Sequence, residues 1–116
     1  MTAQANALAK PVLKEAKDDV LFVGKLEGVA HGLVTYENSG VGDVVALHVK
    51  TSTGNSFKDE IRLTAITVGK PLVFAIPKDV FEKKLVPGAT ADLDYVVTRV
   101  AQVPEHSETL QVHLEP

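Results

Sequence analysis

The chain lacks cysteine and tryptophan altogether. Without thiols there are no disulfides, no thiolate nucleophile and no Cys-ligated zinc. Aromatic residues are few, two tyrosines and four phenylalanines in 116 residues. A core takes most of these, which leaves little for the flat aromatic platforms that sugars stack on. Long apolar runs are missing too. No stretch approaches the roughly 20 residues that span a bilayer as a helix, so no direct membrane insertion is expected. The opening "MTAQANALAKP" has no apolar centre of signal-peptide length. Excess positive charge is also absent. The net charge is −3 and the lysines are scattered, with only Lys83 and Lys84 adjacent. A sequence-independent nucleic-acid binder needs a basic patch to meet phosphates, so no nucleic-acid partner is expected. Absence of cysteine suits a cytoplasmic chain and equally an exported domain that avoids oxidative misfolding. Export would require a signal on a longer parent chain or a route that uses none.

What is present is an ordinary globular mixture, 45% apolar and 23% charged, in a chain long enough for one domain with its own core. Residues 1–9 are small and polar and read as a flexible arm or linker. Residues 10–116 read as one domain of short strands. "PVLKEA" (11–16) suits a short edge strand, with Pro11 tolerated at its start. The apolar run "DDVLFVG" follows. "VAHGLVTY" (29–36) is a strand interrupted at Gly32. "VVALHVK" (44–50) puts Val45, Leu47 and Val49 on one face. "SFKDEIRLTAI" (56–66) alternates with Phe57, Asp59, Ile61 and Leu63 together. "PLVFAIP" (71–77) groups Leu72, Phe74 and Ile76, and "SETLQVHLE" (107–115) groups Leu110, Val112 and Leu114. Only "KDVFEKKL" (78–85) has helical spacing, for barely two turns. Period-two patterning with turn signals every 8–12 residues specifies an antiparallel sandwich or barrel. No long helix is available for a parallel crossover.

"ADLDYVVTR" (91–99) places Tyr95 on the same face as Ala91, Leu93 and Val97. A tyrosine hydroxyl on an apolar face needs a partner. In immunoglobulin-like sandwiches, a tyrosine near the start of the penultimate strand bonds a backbone group a few residues upstream. Tyr95 follows the Pro87-Gly88 turn and fits that structural role, with "LVPGATA" (85–91) as the expected source of the partner.

Four segments carry a resemblance: "VGDVVALHV" (41–49), "TAITVGKPLVFAIPKDVF" (64–81), "GATADLDYVVTR" (88–99) and "SETLQVHL" (107–114). Together they resemble a bacterial immunoglobulin-like domain of the type repeated in large Gram-negative surface and adhesin-like proteins. "VGKPLVFAIPK" (68–78) is the most specific block, and the likeness extends over roughly residues 10–115. His48-Val49-Lys50 stand where the family usually has an aromatic. The resemblance implies an all-β immunoglobulin-like antiparallel sandwich of about seven strands with at most one short helix. It implies a non-catalytic structural or interaction module, with a protein or neighbouring immunoglobulin-like domains as partner. It also implies a cell-surface or secreted setting within a longer chain. The alternative is a free-standing binding protein that takes a protein or carbohydrate through loops or a sheet edge.

Groups that could carry chemistry are dispersed. His48 and His113 each fall on a polar strand face and would meet if their strands were neighbours. Asp18-Asp19 and Asp92 with Asp94 are carboxylate pairs, readable as calcium ligands or a sugar-cleaving pair. They are also readable as the solvated face of a strand, paired with Lys or Arg across the sheet. "GVGD" (40–43) has neither the lysine nor the following helix of a phosphate loop. Asp59 lands on the apolar face and reads as an inward charge that blunts a sheet edge. No catalytic residue, metal or cofactor is expected. The expected contact residues are Glu37, Asn38 and Ser39 in loop 37–43 and Thr53 and Asn55 in loop 51–55, at opposite ends of one strand.

Overall fold

A computed structural model describes residues 8–116. These form nine strands and one short helix: β1 (Val12–Leu13), β2 (Val20–Phe22), β3 (Val29–Val34), β4 (Val44–Thr51), β5 (Ser56–Arg62), β6 (Leu72–Pro77), α1 (Lys78–Glu82), β7 (Thr90–Thr98), β8 (Glu105–His106) and β9 (Leu110–Glu115). Two sheets pack face to face. One has the order β1-β3-β6; the other has β2-β9-β7-β4-β5, with β8 added on β7. The fold is a β-sandwich. Its first, third and sixth strands pair in one sheet, and the fourth, seventh and ninth pair in the other.

The alternation decides which side of each strand is buried. Val45, Leu47 and Val49 of β4 face inward with Ala91, Leu93, Tyr95 and Val97 of β7 and Leu110, Val112 and Leu114 of β9. Ala30 and Val34 of β3 and Leu72, Phe74 and Ile76 of β6 oppose them. Gly32 does not interrupt β3. It faces inward, where an added Cβ would lie 3.0 Å from Leu47 Cδ2 and 3.3 Å from Ile76 Cδ1. The missing side chain lets the two sheets approach. The helix is shorter than its sequence pattern, ending at Glu82, and buries Phe81 completely.

Three expectations are corrected. The sandwich is not wholly antiparallel, because β2 runs parallel to β9. After β1 the chain turns at Leu13–Ala16 and again at Lys17–Val20, and so crosses from one sheet to the other. The second turn has Asp18 and Asp19 both left-handed, at φ 51° and 62°, the arrangement of a type I′ hairpin. That turn explains one carboxylate pair as backbone geometry. Second, His48 and His113 do not meet, since β7 lies between β4 and β9. Third, Tyr95 sits in the middle of β7 and does not bond the preceding loop. Its hydroxyl donates to the carbonyl of Ala9 at 2.6 Å. Ala9 and Leu8, expected in a free arm, are tied down: Leu8 bridges Ser107, donating to His106 and accepting from Glu108. Residues 1–7 of that expected arm lie outside the described residues.

The path through the sandwich is directional. Loops 35–43, 63–71 and 99–104 gather at one pole, and β1 runs away from it along β3. The 51–55 turn, α1 and the end of β9 lie at the other. The first strand therefore starts beside the first pole, and the last strand ends at the second.

Candidate interaction surface

The entry pole is organised around a carboxylate that the sequence reading assigns to an exposed loop. Asp43 is buried. Its Oδ2 accepts from the Tyr36 hydroxyl at 2.7 Å and from the Gly40 backbone N–H at 2.9 Å. The guanidinium of Arg99 stands 3.8 Å away. Arg99 donates from Nε to Glu105 Oε2 at 2.6 Å and from its terminal nitrogens to the carbonyls of Asn38 and Glu37. It also lies over the Tyr36 ring, 5.5 Å from the centroid. Tyr36 packs in turn on Tyr95, centroids 6.4 Å apart.

The electrostatics follow from this geometry. Burial, then donation to the Asp43 carboxylate, pushes the Tyr36 hydroxyl well above its ordinary pKa. The hydrogen bond to Glu105 raises that of Arg99. Among the described residues no buried side-chain polar atom lacks a partner. A network that leaves no buried polar side-chain atom unpaired fixes the backbone around it. It therefore holds loops 35–43 and 99–104 in place.

Further ties join loop 63–71 to loop 35–43. Gly42 N–H donates to the Leu63 carbonyl, Leu63 N–H to the Asp43 carbonyl, and Gly69 N–H to Ser39 Oγ. The tips they support are apolar. Val41, Ile66, Val100 and Val103 are between 62% and 81% exposed. Large aliphatics exposed together at one pole make these loops the candidate contact surface. No family model matches this chain, and no curated protein or solved structure does.

The residues singled out from sequence fall into two groups. Glu37, Asn38 and Ser39 belong to the entry pole, where the first two give carbonyls to Arg99 and Ser39 holds Gly69. Thr53 and Asn55 lie at the exit pole and face the protein itself. Thr53 Oγ1 pairs with Thr51 Oγ1 at 2.9 Å. Asn55 Nδ2 donates to the carbonyls of Val80 and Lys83 at 3.0 and 2.7 Å, closing the end of α1. The remaining candidates stay apart. Asp94 faces His48 at 3.8 Å, and Asp92 accepts from Gln111 at 3.1 Å. With Lys50 and Thr109 they line a shallow depression of about 180 Å³ on an open strand face. No three His, Asp or Glu side chains converge on a metal-sized site among the described residues.

Sequence reasoning missed Arg99, Ile66, Val100 and Val103. Ile66 was expected at the end of a strand, but β5 stops at Arg62. "VAQVP" (100–104) carried a signal: two valines without alternation ahead of a proline, beyond the end of β7.

Proposed function

We propose that this domain is a non-catalytic, immunoglobulin-like module of a bacterial surface or adhesin-like protein, which works by joining head to tail with neighbouring domains. The observation that carries the reading is the distribution of exposed large hydrophobic residues. Eight are exposed among the described residues. Val41, Ile66, Val100 and Val103 stand at the entry pole; Phe22 and Val86 stand at the exit pole, Phe22 beside Glu115 near the end of the chain. Only Val12 and Val73 lie elsewhere, on the outer face of the smaller sheet. Successive domains that enter at one pole and leave at the other would bring these surfaces together. Contacts between domains of one chain are small and mixed in polarity, which suits four aliphatics on one side against Phe22 and Val86 on the other. A head-to-tail contact that does not close generates a row.

The test uses a protein with two copies joined from Pro116 to Met1. Amide exchange in 40–42 and 99–103 of the second copy, and in 85–88 of the first, should slow relative to a single copy. Exchange equal to that of the single domain at both poles contradicts the reading.

A further inference from the structure

The free edge of β5 offers a second kind of contact. β5 ends the larger sheet, with β4 on one side and, among the described residues, no paired strand on the other. Asn55 and Leu63 bond β4 at either end of it, through Thr51 N–H to the Asn55 carbonyl and Leu63 N–H to the Asp43 carbonyl. Backbone groups point alternately to either side of a strand. Phe57, Asp59 and Ile61 therefore turn theirs to β4, and Ser56, Lys58, Glu60 and Arg62 turn theirs to the open edge. By register, Phe57, Asp59 and Ile61 sit opposite inward-facing Val49, Leu47 and Val45. Phe57 and Ile61 are nonetheless only partly buried.

The sequence of this strand is complementary to its own reverse. In an antiparallel pair of two copies centred on Asp59, Lys58 of each lies opposite Glu60 of the other. Phe57 lies opposite Ile61, and Ser56 opposite Arg62. The open-edge amides and carbonyls of Lys58 and Glu60 are the ones such a register would bond. Lys58 and Glu60 already attract each other within one chain at 3.9 Å, both well exposed. Two opposed ion pairs and two aromatic–aliphatic pairs are the cross-strand combinations that stabilise a sheet. The arrangement has the two-fold symmetry of an isologous dimer.

One residue opposes it. Asp59 would face its own copy at the two-fold axis, in a pair with no backbone bonds between its members, where side chains are closest. Like charges there are destabilising. Its Oδ1 also accepts from the Glu60 backbone N–H at 2.9 Å, and so occupies an amide the pairing needs. We propose that the β5 edge is a self-complementary docking strand for a second copy of this chain, and that Asp59 is the group that weakens the pairing.

Sedimentation equilibrium on the full chain tests this. Asp59→Asn and Asp59→Thr should each associate to a dimer at least about tenfold more tightly than the native sequence. Far-ultraviolet circular dichroism checks that both are folded. Adding Lys58→Glu to either should reverse the gain, and adding Glu60→Lys to that should restore it. The proposal is overturned if removing the Asp59 charge leaves association unchanged, or if a dimer forms that is indifferent to Lys58→Glu.

Discussion

Tyr95 shows how one hydroxyl organises a terminus. Its ring is wholly buried in the core, and its polar tip needs a partner that no neighbouring core side chain supplies. The chain meets that need with the Ala9 carbonyl, 86 residues away in sequence. Ser107 fixes the same position, accepting from Tyr95 N–H through Oγ and donating N–H to the Tyr95 carbonyl. Tyr95→Phe should therefore cost about 0.5–1.5 kcal/mol in urea unfolding, the usual net worth of one intramolecular hydrogen bond. Amide exchange at Leu8 and Glu108 should quicken while that of Ala89 and Ala91 does not. Faster exchange around Ala89 instead would mean the hydroxyl serves the preceding loop. Both tyrosines also predict an alkaline response. Burial raises the Tyr95 hydroxyl above its ordinary 10.0, and burial followed by the Asp43 bond raises Tyr36. A group with a raised folded pKa contributes stability fully below its unfolded value and loses it as pH climbs toward the folded one. Tyrosinate absorbance should thus stay flat through pH 10 in the native protein, then rise together with loss of folded structure. In urea it should rise near 10. A full step at 10 in the folded state would contradict the geometry at both sites.

At the scale of elements, two short pieces depend on distant or strained residues. A five-residue helix cannot stand alone, and the end of α1 is held by Asn55 across 25 and 28 positions. Asn55→Ala should cost about 1–2 kcal/mol by thermal or urea unfolding, whereas loss of a solvated contact residue would cost nothing measurable. The Lys17–Val20 turn points the other way. Asp18 and Asp19 hold left-handed backbone that Asn-Gly adopts more readily. Replacing the pair with Asn-Gly should stabilise the fold by about 0.5–1 kcal/mol. Destabilisation would mean that these carboxylates do more than shape a turn. The same elements show what can be read from sequence. β7 and β9 were legible because polar and apolar residues alternate, and β4 and β6 because their largest apolar residues share one face; those residues are the inward ones, with Ala46 of β4 buried in addition. The parallel pairing of β2 with β9 was not legible, since it depends on where two turns send the chain. Neither was the Asp43 network. Its members Tyr36, Asp43, Arg99 and Glu105 come from separate segments, and no local period records which of them meet. Asp59 could be read as an edge charge because an acidic residue broke an apolar face.

For the whole molecule, the account rests on direction: the first strand starts beside one pole and the last ends at the other, with four exposed aliphatics at the first and Phe22 and Val86 exposed at the second. Rigid loops at the entry pole follow from a fully partnered polar network, and the exit pole is built from α1, its Asn55 tie and the β2–β9 pair. Such a unit adds length when repeated. β4 alone has eight residues, about 26 Å at the usual rise. The most direct measurement is small-angle scattering from two copies joined end to end, compared with one. The account predicts an extended particle whose maximum dimension exceeds that of the single domain by at least about 26 Å. A compact, side-by-side particle with a smaller increase would contradict it.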